Sequence, residues 1–296
     1  MGSGGLPGRG GPLFPFTQVE LPWALGPPDG RYLLRQASEE PEAPPSHVLV
    51  IATLGAAQRR SLPRRRARTL QAQPEPDPTP VSTGRATVIG VAHPFGDERD
   101  AQAWLSTAGE QQLADDLSVL NSALHAFRVA TADPYLNPVG RERLLVARIG
   151  YGRGDQVADG HWTEARELVA SVARQRRSRL LHPQARLARL LGGREQPLVC
   201  EELALRARLD LDHERPREAA LQVLVALDAA IAELAGDPGS DALASRIEEL
   251  REQRDPVADA AQAALAGPLS AGEQDAIEFA LERIEATLRA RALAGE

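Results

Sequence analysis

The sequence predicts an α+β fold: a mixed or antiparallel sheet with helices packed on one face, followed by an all-helical C-terminal part. Three observations lead there. Short β-rich runs bounded by turn residues crowd the first half of the chain. Apolar residues recur at three- and four-residue steps through the last third. The elements also run strands, insertion, strand, two helices, strand, helices, without the regular alternation of a doubly wound sheet.

Along residues 16–25, Val19, Leu21, Trp23 and Leu25 alternate with Gln18 and Glu20, the pattern of a half-buried strand. Pro22 marks it as an edge strand or one with a bulge. The turn Gly26-Pro27-Pro28-Asp29-Gly30 predicts that residues 31–35 return as the second strand of a hairpin. Residues 47–54 form a continuous β-rich run, as in a strand covered on both faces. The pattern then collapses. Arg59, Arg60, Arg64, Arg65, Arg66 and Arg68 precede Pro74, Pro76, Pro78 and Pro80, and alternating prolines neither pair in a sheet nor continue a helix. A disordered Arg/Pro-rich insertion is expected at about 56–84.

Residues 86–91 read as another strand, and Asp97 as the cap of a short helix carrying Ala101, Trp104 and Leu105. Over 110–132, Leu113, Leu117, Leu120, Leu124 and Phe127 make one helical stripe, with Asp115 and Asp116 placed on the exposed side. A strand is expected at 143–149, a glycine-rich loop at 150–160, and helices at 163–178 and 184–191.

Residues 197–211 and 217–234 read as a helical hairpin, with Pro216 suited to a first helical position. Leu243, Ile247 and Leu250 sit at heptad spacing, as do Ile277, Leu281, Ile284 and Leu288. Ser270 and Glu273 match a capping box. The expected organisation is a disordered N-terminus at 1–13, an α+β domain at 14–193 and an acidic helical region at 194–296. Charge supports the last division: residues 1–95 carry +3, residues 96–193 carry +1, and residues 194–296 carry −11.

All 34 basic residues are arginine, so chemistry that needs a lysine is excluded, including a P-loop or a Schiff base. Cys200 is the only cysteine; an intrachain disulfide and a cysteine zinc cluster are ruled out, and its apolar neighbours predict a buried thiol. The first residues lack the order of a signal peptide, and no apolar run approaches the roughly 20 residues that span a bilayer. A cytoplasmic protein without membrane contact is the expectation.

Two segments are candidates for binding. Gly150, Tyr151, Gly152, Arg153, Gly154 and Asp155 follow a strand, and closely spaced glycines let backbone amides approach a ligand. Arg174, Arg176, Arg177 and Arg179 could contact an anionic partner such as nucleic acid, although no aromatics interleave them and the pI is near 5.5. The histidines His47, His93, His125, His161, His182 and His213 show no metal-binding spacing, so a site would have to be assembled by the fold. Asp210, Asp212, His213 and Glu214 read as helix-end polarity. No catalytic, cofactor or metal residue is assigned. The leading expectation is a non-catalytic interaction or scaffold protein, with a protein partner or second copy on the C-terminal helices. The alternatives are a nucleic-acid-associated protein and an enzyme with a small-molecule pocket near the Gly150 segment.

Overall fold

The computed structural model describes residues 11–35, 44–55, 81–169, 183–236 and 240–294. The chain divides into two units, Met1–Ala170 and Ser171–Glu296. The first ten residues and residues 56–80, where disorder was expected, lie outside the described residues.

The first unit is built on a six-stranded, wholly antiparallel sheet in the order β2-β3-β4-β1-β5-β6. Its strands are β1 (Leu13–Leu21), β2 (Gly30–Leu34), β3 (His47–Leu54), β4 (Thr83–Gly90), β5 (Val146–Arg153) and β6 (Glu164–Glu167). Between β4 and β5 come α1 (Glu98–Thr107) and α2 (Glu110–Thr131). Asp97 caps α1 as expected, its side chain accepting from the Asp100 amide at 2.9 Å.

Period-two alternation decides which residues meet the helices. Val19, Leu21, Leu49, Ile51, Val88 and Ile149 form one core with Leu113, Leu117, Leu120 and Leu124 of α2. Each fully buried Leu contributes about 2 kcal/mol. The opposite face is also covered: Phe16, Ile89 and Val157 cluster there, and Trp162 stacks on Phe16 at 5.7 Å. Val157 lies in a 3-10 helix, Gly154–Asp159. Gln18, expected to face solvent, is therefore buried, and it donates to Thr87 Oγ1 at 3.1 Å and Ala158 O at 3.2 Å.

Several local expectations change in the assembled sheet. β1 is an inner strand between β4 and β5, and Pro22 falls just past its end instead of marking an edge. Strand β2 pairs with β3, not with β1, because turn residues reverse the chain without choosing its neighbour. The loop expected at 150–160 is the end of β5 followed by the 3-10 helix. A Cβ on Gly150 would meet the Glu164 carbonyl and Ala165 of β6, and one on Gly152 would meet Val157. Gly150 thus marks close approach to β6 within the sheet, and Gly152 close approach of the 3-10 helix to β5. Where a helix was expected from 163, the described residues form β6.

The second unit contains α3 (Pro183–Leu191), α4 (Val199–Asp212), α5 (Pro216–Ala235), α6 (Ser240–Glu252), α7 (Arg254–Ala266) and α8 (Ala271–Ala294). Pro216 opens α5, and Ser270 with Glu273 forms the expected reciprocal cap, the Ser270 amide donating to Glu273 at 2.7 Å. Small residues let α4 and α5 approach closely: Ala204, Ala207, Ala219, Ala226 and Ala230 are all buried. The heptad positions Leu243, Ile247, Leu250, Ile277, Leu281 and Ile284 join the same core. No helix among the described residues is long and apolar enough to cross a membrane.

Candidate functional site

One cavity of about 250 Å³ opens where β1, β3 and β4 end against the start of α2. Sheet register explains it. His47 lies opposite Gly90, and the pairing of Phe16 with Ile89 sets Pro15 beside Gly90 on the other side. Directly opposed residues share a face, so this row reads His47, Gly90, Pro15 toward the helices. Gly90 contributes no side chain, and a Cβ there would stand 3.2 Å from Pro15 Cγ. A bare position flanked by two rings leaves the floor of a pocket.

Asp116 closes the cavity from α2. It is buried, contrary to its expected place on the exposed side of the stripe, because it stands three residues after Leu113 and four before Leu120 on the core-facing side. Thr17 Oγ1 donates to Asp116 Oδ2 at 2.5 Å and Gln112 Nε2 donates to the same oxygen at 3.1 Å. Burial raises the carboxyl from the ordinary 3.8 to about 6; the two donors lower it, and neighbouring Asp115 raises it.

His47 and His93 line the same cavity, with Ser46 between the sheet edge and the ring. Nδ1 of His47 lies within hydrogen-bond distance of Ser46 Oγ, 3.0 Å, and the same hydroxyl reaches Leu34 O at 3.3 Å. Burial lowers the His47 pKa, so this ring is neutral at pH 7. A carboxyl pushed up toward neutral pH and an imidazole held in its neutral form share one opening, an acid and a base side by side. Among the described residues no group of three or more His, Cys, Asp or Glu could hold a metal ion.

The candidate segment from Gly150 is placed elsewhere, and none of its six residues lines this cavity. Gly150, Tyr151, Gly152 and Arg153 end β5, while Gly154 and Asp155 begin the 3-10 helix. Tyr151 is fully buried; its hydroxyl donates to Glu164 Oε2 at 3.0 Å, and burial together with Glu164 raises its pKa. Asp155 is ion-paired with Arg31, and Gly154 takes a positive φ of 59°. Arg174, Arg176, Arg177 and Arg179 lie outside the described residues.

Asp210 and its neighbours serve a helix junction. Asp210 pairs with Arg215 at 2.5 Å and accepts from Gln222 at 2.5 Å. Cys200 is buried in the helical core, and burial, then Glu233, pushes its thiol up to about 12. Asp116 and His47 were missed because no linear spacing joins residues 69 apart on different elements; the position of Asp116 within the leucine stripe was the one available signal. Comparison with family models, with curated proteins and with solved structures finds no match.

Proposed function

We propose that the first unit binds a small polar molecule at the Asp116 cavity and exchanges a proton with it through Asp116 and His47. The observation that carries this reading is a buried carboxyl held by two donors on one oxygen, in an opening shared with two imidazoles. Natural cores rarely bury a carboxyl without a charged partner, since ionisation there costs stability. A cavity of about 250 Å³ suits a ligand smaller than those of typical drug-sized pockets. Above about pH 6 Asp116 is a base and below it an acid, while neutral His47 offers one ring nitrogen as acceptor.

The test is a fragment screen by NMR on the intact chain. Bound fragments are expected to shift the Gly90, His93 and Gln112 resonances, to change affinity across pH 6, and to lose binding in Gly90→Val. The pH dependence should flatten in Asp116→Asn. A screen in which no fragment maps to these residues contradicts the reading.

A second reading, an interaction or scaffold role for the helical unit, draws on its outward-facing apolar residues. Leu205 and Leu209 project four apart from α4, as Leu221 and Val225 do from α5, and all four are exposed. Light scattering of the intact chain tests self-association on these faces. A dimer converted to monomer by Leu205→Glu with Val225→Glu supports it; a monomer from the outset removes it.

A further inference from the structure

A second cavity, of about 430 Å³, lies in the same unit at the far end of α2 and β1 from Asp116. Its floor is apolar, made by Leu25, Leu124, Leu136 and Val139. Trp23 and Tyr135 stand at its rim, 38% and 85% exposed, so aromatic surface remains available there. Asp133 and Arg143 line it as well, and among the described residues neither enters an ion pair.

The walls are held in place by other residues. A Cβ on Gly84 would sit 2.5 Å from the Trp23 carbonyl, so glycine in β4 is what lets the Trp23 segment lie against the sheet. Gly26 turns that segment with a φ of +103°, and a Cβ there would come within 2.8 Å of Leu136. On the other side, buried Asn121 of α2 clamps Val139, donating to its carbonyl at 3.0 Å and accepting its amide at 2.7 Å. Asp133 Oδ1 accepts the Tyr135 amide at 2.9 Å. Preorganised walls lower the ordering cost of binding.

We propose that this cavity binds a small zwitterion with an apolar side chain, the chemical class of a free hydrophobic amino acid. Two opposite charges that line one opening without pairing can each meet a complementary group: Arg143 a carboxylate, Asp133 an ammonium. The apolar floor and the two rings take the side chain. This inference is independent of the Asp116 reading.

Calorimetric titration of the intact chain with L-phenylalanine, 3-phenylpropanoate and phenethylamine separates the two charges. Phenylalanine is expected to bind about tenfold more tightly than either half-charged analogue. Arg143→Gln should reduce phenylalanine to the level of phenethylamine. Asp133→Asn, which keeps the acceptor for the Tyr135 amide, should reduce it to the level of 3-phenylpropanoate. Asp116→Asn should leave all three unchanged. No phenylalanine binding at roughly 10 mM, equal affinity for the three compounds, or indifference to both variants overturns the proposal.

Discussion

A carboxyl on α2 whose two donors, Thr17 and Gln112, both reach Oδ2 still keeps its proton to about pH 6, because burial outweighs those hydrogen bonds. The consequence for stability has a definite sign. Below about pH 4 Asp116 is protonated both folded and unfolded and carries no penalty. Between about pH 4 and pH 6 the unfolded chain ionises while the folded one does not, so stability falls as pH rises. Above about pH 6 the penalty is complete, about 3 kcal/mol. Asp116→Asn keeps an acceptor for Thr17 and removes the charge. Urea unfolding at pH 7.5 is expected to show the variant more stable by up to about 3 kcal/mol, with the gain gone near pH 4. Equal stability at pH 7.5 would mean the carboxyl is solvated. A residue that costs the fold stability at neutral pH and lines a cavity fits functional sites better than structural ones. The sequence reading placed it on the exposed side of the stripe, whereas three residues after Leu113 and four before Leu120 is a position on the buried face.

At the scale of elements, helix ends illustrate what local chemistry can specify. Glu233, near the end of α5, accepts the amides of Val199 at 3.0 Å and Cys200 at 3.0 Å, capping the start of α4 from another helix. Burial alone would raise this carboxyl, but the Cys200 and Val199 amides prevail and hold it below its ordinary range. Its contribution is therefore present above the unfolded pKa and lost as pH falls through the lower folded value. Glu233→Gln is expected to cost about 1 kcal/mol in chemical unfolding at pH 7. An unchanged midpoint would remove the cap from the account of this hairpin. Caps within four residues, at Asp97 and at Ser270 with Glu273, were legible in the sequence because their partners are neighbours in the chain. The Glu233 cap was not, since its partners are 33 and 34 residues away. The same distinction separates the strands: β3 was bounded correctly by its own β-rich run, whereas the inner position of β1 depends on β4 and β5, far along the chain. The glycines of β5 resembled a loop because close approach to β6 at Gly150, and to the 3-10 helix at Gly152, cannot be seen from one strand alone.

Across the whole molecule, apolar patterning foretold the kind of fold and left the site unread. Heptad spacing in α6 and α8 marked residues that bury one another within the helical unit, so the same stripes that suggested a partner are occupied internally. The proposed site instead lies in the α+β unit, where register stacks His47, Gly90 and Pro15 in a row and α2 brings Asp116 onto it. That convergence needs three strands and a helix at once, so no stretch of sequence carries it. The most direct test is an NMR titration of the Asp116 side-chain carboxyl in the intact chain from pH 3 to pH 8. A midpoint near pH 6 is expected, about two units above an exposed aspartate. A midpoint near pH 4 would contradict the claim that this cavity holds a proton-exchanging acid.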